Sequence, residues 1–454
     1  MSTLTVGPRK REPGHTHGRS LSLARARATF RRMRKIALLA LSLLASSSGC
    51  GSSDASTDLS GANAARDGGT RFRDAAAEPL DARVVRPGDA STSDAQLPPV
   101  PTASHVYVGG WDWGSGAAYR ARSFALDHES ALFTELRPTT DLGFNPSHLT
   151  PSLDGTVLYA SNELPGANAG LTAARIAPDT GALTALGSVP NADGAFVFAR
   201  VHPSGKYLFA ADYYAGALVV YRLARDGTIG AVADRVVFPR KDDDESAQTH
   251  GVGIHDDGRY VYVPNKALDT IAQLSFDAER GMLTRGEDLP SEGGPRAIAL
   301  YGNVAYVMHE RDSQLASFRI GDDGMLTPVD RSATLPDDFA GESTGAHVAV
   351  HPSGTFVYAS NRGHDSIAVF ATTAEGMLTR VALTPSEGAT PRAFEIDANG
   401  ALLVVANQGS DGADDGSLVA FAIGSDGLLT RRGRAATGLK SPTTLVLVPR
   451  VDAR

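Results

Sequence analysis

One unit recurs six times along this chain: a short apolar strand, a Gly-containing turn, a second strand closed by Asn, Asp or His, then a polar loop and a third strand. Its clearest copies are HPSGKYLFAADYYAGALVVY (His202–Tyr221), HDDGRYVYVPNKALDTIAQL (His255–Leu274) and HPSGTFVYASNRGHDSIAVF (His351–Phe370). The residues that close the second strands are Asn162, Asp212, Asn265, His309, Asn361 and Asn407, at intervals of 50, 53, 44, 52 and 46 residues. A strand-filled period of that length belongs to β-propeller blades rather than to helical or leucine-rich repeats. A propeller collects one loop from every blade around a single axis, so residues distant in sequence converge.

Closure follows from the two ends of the repeat region. It opens on Ser104–Val108 with strand-like segments to Leu136, and ends on Ser441–Val448, a lone strand without a hairpin of its own. Six complete repeats lie between. If the last strand becomes the innermost strand of a seventh blade begun by residues 104–137, the ring closes and no sheet edge is left open. The fold predicted is therefore all-β, a seven-bladed β-propeller spanning 104–454. The turn glycines Gly155, Gly205, Gly258, Gly302, Gly354 and Gly400 are read as backbone requirements.

Composition agrees and removes some function classes. With 48 Gly and 25 Pro the chain has the turn residues that many short strands need. The formal charge of −8 is spread in mixed signs, with no sustained basic block in the repeats, which argues against a nucleic-acid partner. Cys50 is the single cysteine, so no intrachain disulfide forms and no Cys/His zinc cluster exists. No cofactor is expected.

The N-terminal region reads as an address. Arg34-Lys35, the apolar run Ile36–Ala45, small residues and Cys50 follow in the order of a secretory signal, too short to span a bilayer as a mature helix. The box ahead of Cys50 resembles that of bacterial lipoproteins, with Ser47 where Leu is usual. An ordinary cleaved signal, or a free cysteine in a discarded leader, is the alternative. Met33 is a reasonable start for the signal, and Arg31-Arg32 lacks the surrounding motif of twin-arginine export. Residues 1–50 are thus an extension and signal. Residues 51–103, rich in Ala, Asp, Ser, Thr and Pro, are a flexible linker holding the domain from a membrane in the cell envelope.

Some positions break the repeat with chemistry. Eight residues before the turn glycine lies the mouth of the innermost strand, which carries His250 and Arg392, and Arg296 in the fourth repeat, whose turn is shorter. The other repeats hold Ser147, Val197 and Ala346 there, with His148 and His347 one residue on. In the loops after the second strands, Glu310 follows His309 and Arg362 follows Asn361. All should meet at one end of the channel. Arginines present forks of donors suited to a carboxylate, a phosphate or a developing oxyanion, and His or Glu can move protons. Each has a plainer reading as an interblade ion pair or a hydrogen-bonded loop residue.

The stretches SNRGHDSIAVF (Ser360–Phe370), GATPRAFEIDANGALLVVANQ (Gly388–Gln408) and GGPRAIAL (Gly293–Leu300) make the chain resemble the seven-bladed lactonases of the bacterial 6-phosphogluconolactonase type, related to fungal 3-carboxy-cis,cis-muconate lactonizing enzyme. The resemblance covers about 104–448 and implies a catalytic set of His250, Arg296, Glu310 and Arg362. Arg392, His148 and His347 would help to bind the substrate. Glu310 stands in the place of the Glu of an Asn-Glu-Leu motif. Departures are Ala297, where the family carries His, and His309-Glu310-Arg311 for Asn-Glu-Leu.

Three activities fit these features. The first is an exported lactone hydrolase acting on a small lactone or related carboxylate, acidic or sugar-derived. The second is a non-catalytic, membrane-tethered binding propeller, with Trp111 and Trp113 stacking on a sugar or a partner. The third is a muconate-type cyclase running lactone chemistry toward ring closure.

Overall fold

Strands of the repeat alternate side chains between two faces, and both faces are apolar because a blade is covered by a neighbour on each side. In this computed structural model, residues 101–112, 121–136, 142–163, 169–191, 194–242, 245–410 and 413–450 are described. Cys50, the signal and the linker to residue 100 lie outside them, as does Trp113.

The described strands form seven antiparallel sheets, and each repeat is one of them. The first blade runs Pro146–Pro151, Val157–Asn162, Gly170–Ile176 and Leu183–Pro190 from axis to rim. The third adds a short fifth strand, Leu289–Pro290, and its innermost strand is reduced to Gly253–Ile254. The C-terminal strand Pro442–Pro449 is the innermost strand of the seventh blade, pairing with Ala103–Gly110. Arg122–Asp127 and Leu132–Glu135 complete that sheet. The seven-bladed reading and its clasp are both correct.

Among the described residues, buried apolar side chains fall into seven clusters, one in each gap between neighbouring blades. The gap between the fifth and sixth blades packs Tyr358, Ile367 and Val369 on Phe394, Leu403 and Phe421. Each such side chain contributes roughly 1.5–3 kcal/mol. A tyrosine of the second strand also reaches across several gaps. Tyr107, Tyr159, Tyr262 and Tyr358 donate to the carbonyls of Gly181, Gly227, Gly324 and Gly427 in the next blade, at 2.8–3.0 Å. All six turn glycines have φ between +51° and +75°, a region that side chains with a Cβ avoid.

The polar residue closing each second strand is buried and ties down the crossover that enters its own blade. Asn162 donates to Leu142 O, Asn361 to Thr334 O and Asn407 to Ser386 O, while Asp212 accepts from Ala195 N. His309 serves the same purpose through Ser291 Oγ at 2.7 Å, so this departure from Asn leaves the loop after it undisturbed. Crossovers and second-strand loops therefore share one end of the ring.

At that end the innermost strands slip register. Pro146, Phe196, Pro295, Gly345 and Pro391 face the closing residues of their second strands, and pairing then skips before it resumes. Pro442 opposite Gly110 does the same in the seventh blade. Each skip is a β-bulge, which bends the strand and re-aims the side chain it carries. The bulged residues are Ser147, Val197, Arg296, Ala346, Arg392 and Thr443. His250 occupies the matching place after the Thr249–Asn265 bridge.

Candidate functional site

The bulges bring the mouth residue and its successor onto the same funnel wall, where regular pleating would expose only one of them. The funnel wall includes Ser147, His148, Glu163, His250, Arg296, His347 and Arg392. A second ring sits above it, made by the residue after each second strand: Glu163, Tyr213, Lys266, Glu310, Arg362 and Gln408. Trp111 completes that ring in the closing blade, because Gly110 is the counterpart of the closing Asn residues.

Glu310 joins three blades. Its Oε2 lies 2.9 Å from Arg296 Nε and 3.3 Å from Arg362 Nη2, and its Oε1 accepts from Lys266 Nζ at 3.0 Å. Bulge carbonyls take other donors of the same guanidiniums: Arg296 Nη1 donates to Ala346 O, and Arg362 Nη2 to Gly345 O at 2.9 Å. Burial opposes the charge of Glu310, but Arg296, Lys266 and Arg362 outweigh it and bring the carboxyl down to about 2. It is a fixed anion at neutral pH. Arg296, only 5% exposed, is pressed downward by burial and then by Arg362 and Arg392, yet a guanidinium stays protonated at pH 7.

On the opposite arc, Arg392 lies over the indole of Trp111, its Cζ 4.0 Å from the ring centroid. Trp111 Nε1–H donates to Glu163 Oε2 at 3.0 Å. Burial raises the Glu163 carboxyl, against the pull of Arg392 and weaker help from Ser147, Trp111 and Arg296. One face of Trp111 is thus occupied by Arg392.

His250 stands between the arcs, its ring edge-on to Tyr213 with centroids 6.1 Å apart. Burial, then Arg296, Lys266, Arg392 and Arg362, hold its pKa well below the usual value, so the imidazole is neutral at pH 7. His148 and His347 lie deeper. His148 Nδ1 accepts from Ala199 N at 3.3 Å and packs on Phe198, while His347 meets Phe394 edge-on. Burial first, and then Arg200 and Arg296, with His347 acting on His148 as well, lower both to about 3. Ala297, in place of the family's His, is a buried neighbour of theirs in the same wall. Among the described residues, no three His, Cys, Asp or Glu side chains converge as a metal centre requires.

The structure therefore brings His250, Arg296, Glu310, Arg362 and Arg392 to one end of the channel, with His148 and His347 beneath. Sequence reasoning missed Glu163, Tyr213, Lys266 and the contacts of Trp111. The signal for the first three was the residue after each closing Asn or Asp. Asn-Glu-Leu is in fact written in full at Asn162-Glu163-Leu164. At the mouth four cations (Lys266, Arg296, Arg362, Arg392) face the carboxylates of Glu163 and Glu310, with the Glu395 carboxyl farther along the same wall, a local surplus of positive charge suited to an anionic group or a developing oxyanion.

One other alignment looks catalytic and is not. Ser104 Oγ lies 2.9 Å from His128 Nε2, and His128 Nδ1 lies 3.5 Å from Asp397 Oδ2. Ser104 is 2% exposed, and Asp397 Oδ1 caps its own turn through Ala401 N and Leu402 N, so the three clasp the sixth blade to the seventh.

Comparison with known proteins bears on this arrangement. Residues 105–431 match the family model described as lactonase, seven-bladed β-propeller. The 6-phosphogluconolactonase of Bacillus subtilis is 28% identical over 324 residues, covering 69% of this chain and 90% of the relative. A crystal structure of a Bacteroides fragilis protein superposes with a TM-score of 0.67 at 26% identity, over 79% of this chain and 100% of that one. The periplasmic gluconolactonase of Pseudomonas aeruginosa shares the fold, with a TM-score of 0.69 at 24% identity over 77% and 100% of the two chains.

Proposed function

Because the chain belongs to the lactonase family of seven-bladed β-propellers, we propose that it hydrolyses a small, acidic lactone in the funnel where its cations meet. The observation that carries this reading is the fan of Arg296, Arg362 and Lys266 around the Glu310 carboxylate. The name of the Bacillus subtilis relative supports the same reaction class.

In this reading Glu310 takes no proton, since three cations hold it ionised; it sets the angle of the two guanidiniums. Arg296 and Arg392 face the carbonyl oxygen and stabilise the oxyanion that forms when water adds to the carbonyl carbon. His250, neutral at pH 7, accepts the proton lost by that water, and the raised carboxyl of Glu163 is a second group at the mouth able to exchange one. The ring C–O bond then breaks, the leaving alkoxide is protonated, and a hydroxy acid results. Arg362 and Lys266 hold an acidic substituent of the lactone.

We also place the protein outside the cytoplasm, held by a lipid on Cys50, with the order of basic, apolar and small residues before that cysteine as support. The propeller is entered at Ala103, where Pro101 O accepts from Asn399 Nδ2 in a turn remote from the funnel.

Acid release in a pH-stat, with the purified chain against a panel of sugar, aromatic-derived and acyl lactones, tests the proposal. Acidic lactones should be turned over, and Arg362→Ala should lose most of that turnover with its fold intact. Equal rates for Arg362→Ala and wild type would remove Arg362 from the site.

A further inference from the structure

We propose that Trp111 is a positioning residue, holding Arg392 by its ring face and Glu163 by its ring N–H, so that closing the propeller also completes the site. Its kinetic consequences rest on the lactonase reading above; its placement does not.

Trp111 belongs to the seam where the two ends of the propeller meet. Its amide N–H donates to Ser441 O at 3.2 Å, and the next residue, Asp112, accepts from Lys440 Nζ at 2.8 Å. Asp112 N also donates to Asn145 Oδ1 at 2.8 Å, and Asn145 O accepts from Glu163 N at 3.0 Å. Backbone from both sides of the clasp therefore fixes the indole. From there it carries a guanidinium 4.0 Å from its ring centroid and a carboxylate 3.0 Å from Nε1. One rigid aromatic group thus holds two groups of opposite charge that attract each other across the funnel. A stacked guanidinium keeps its outward N–H edge, the edge an oxyanion needs. Loss of the indole removes both the face beneath Arg392 and the donor to Glu163, so each group loses a fixed support beside the substrate.

The charged and titratable groups acting on Glu163 are Arg392, Arg296, Tyr213 and Tyr214. The bond from Trp111 favours the ionised carboxylate, so its loss moves the Glu163 titration to higher pH.

Trp111→Ala should lower kcat by about tenfold or more, as misplacement of a charged group does, with a smaller change in KM. Trp111→Phe keeps a ring face for Arg392 but no N–H. It should retain more of kcat while moving the acid limb of kcat/KM upward in pH. The chain holds only two tryptophans, so in a Trp113→Phe background the emission comes from Trp111 alone. That emission should titrate above the ordinary glutamate range, lose the titration in Glu163→Gln, and shift in Arg392→Met. Kinetics and pH limb unchanged in both Trp111 variants would overturn the proposal, as would an emission indifferent to Glu163→Gln and Arg392→Met. Absence of turnover by wild type, with those emission responses intact, would count against the lactonase reading and leave the placement of Trp111 standing.

Discussion

Glu310 makes contact with cations from three successive blades, and its chemistry follows from that company. A carboxylate so held is a poor base and a good scaffold, because its value lies in the direction it imposes on Arg296 and Arg362. Replacing it by Gln leaves two guanidiniums and an ammonium repelling one another with little water to screen them. The Glu310→Gln protein should lose stability by up to roughly 3–5 kcal/mol, the cost of breaking a buried pair, and turnover should fall as the arginines disorder. Urea unfolding beside steady-state kinetics checks this, and an unchanged midpoint would mean the cluster is not the ordered unit described. The arginines and Glu310 were legible in the sequence because they interrupt a repeat whose other positions are regular. Glu163, Tyr213 and Lys266 were not picked out, although they stand one residue after Asn162, Asp212 and Asn265. A single Glu, Tyr or Lys in a loop after a strand carries no mark that separates a funnel side chain from a solvated one. The pairing of Trp111 with Arg392 could not be read at all, since it joins residues 281 positions apart in sequence.

Among the elements, the bulged mouth of the innermost strand shapes the site more than any other feature. Regular pleating would send Arg296 and Ala297, or Arg392 and Ala393, to opposite faces; the skipped pair brings both to the funnel. It also presents the carbonyls of Gly345 and Ala346 to the site, where they accept from Arg362 and Arg296. The register skip has no compositional mark, which is why counting from the turn glycine located the mouth residues without revealing how they are aimed. The glycine at the fifth blade's bulge is required by space. A Cβ on Gly345 would sit 2.2 Å from His309 O, a backbone atom that cannot give way locally. Gly345→Ala should therefore destabilise the protein by about 1–3 kcal/mol, the usual range for an overpacked site, and weaken substrate binding through Arg362. A thermal midpoint and KM both equal to wild type would show that the two blades can separate without consequence.

For the whole molecule, closure is what turns a repeat into a site. Seven blades and the C-terminal clasp were legible from the period of the closing residues and from a last strand with no hairpin, because an unpaired edge is physically costly. The family's resemblance then named the acid, the imidazole and two of the guanidiniums. The proposed address on Cys50 concerns residues outside the described ones, and the seven sheets have no bearing on it. Closure also determines the field in the funnel: cations from the third, fourth, fifth and sixth blades face carboxylates from the first and fourth. That field, more than any single proton transfer, is the central claim. The most direct test is kcat for Arg296→Met, on an acidic lactone that the wild-type chain opens, with unfolding midpoints recorded alongside. A loss of about 10²–10³-fold in a folded variant is the result expected when a donor to the oxyanion is removed. A folded Arg296→Met protein that opens the lactone as fast as wild type would contradict the account.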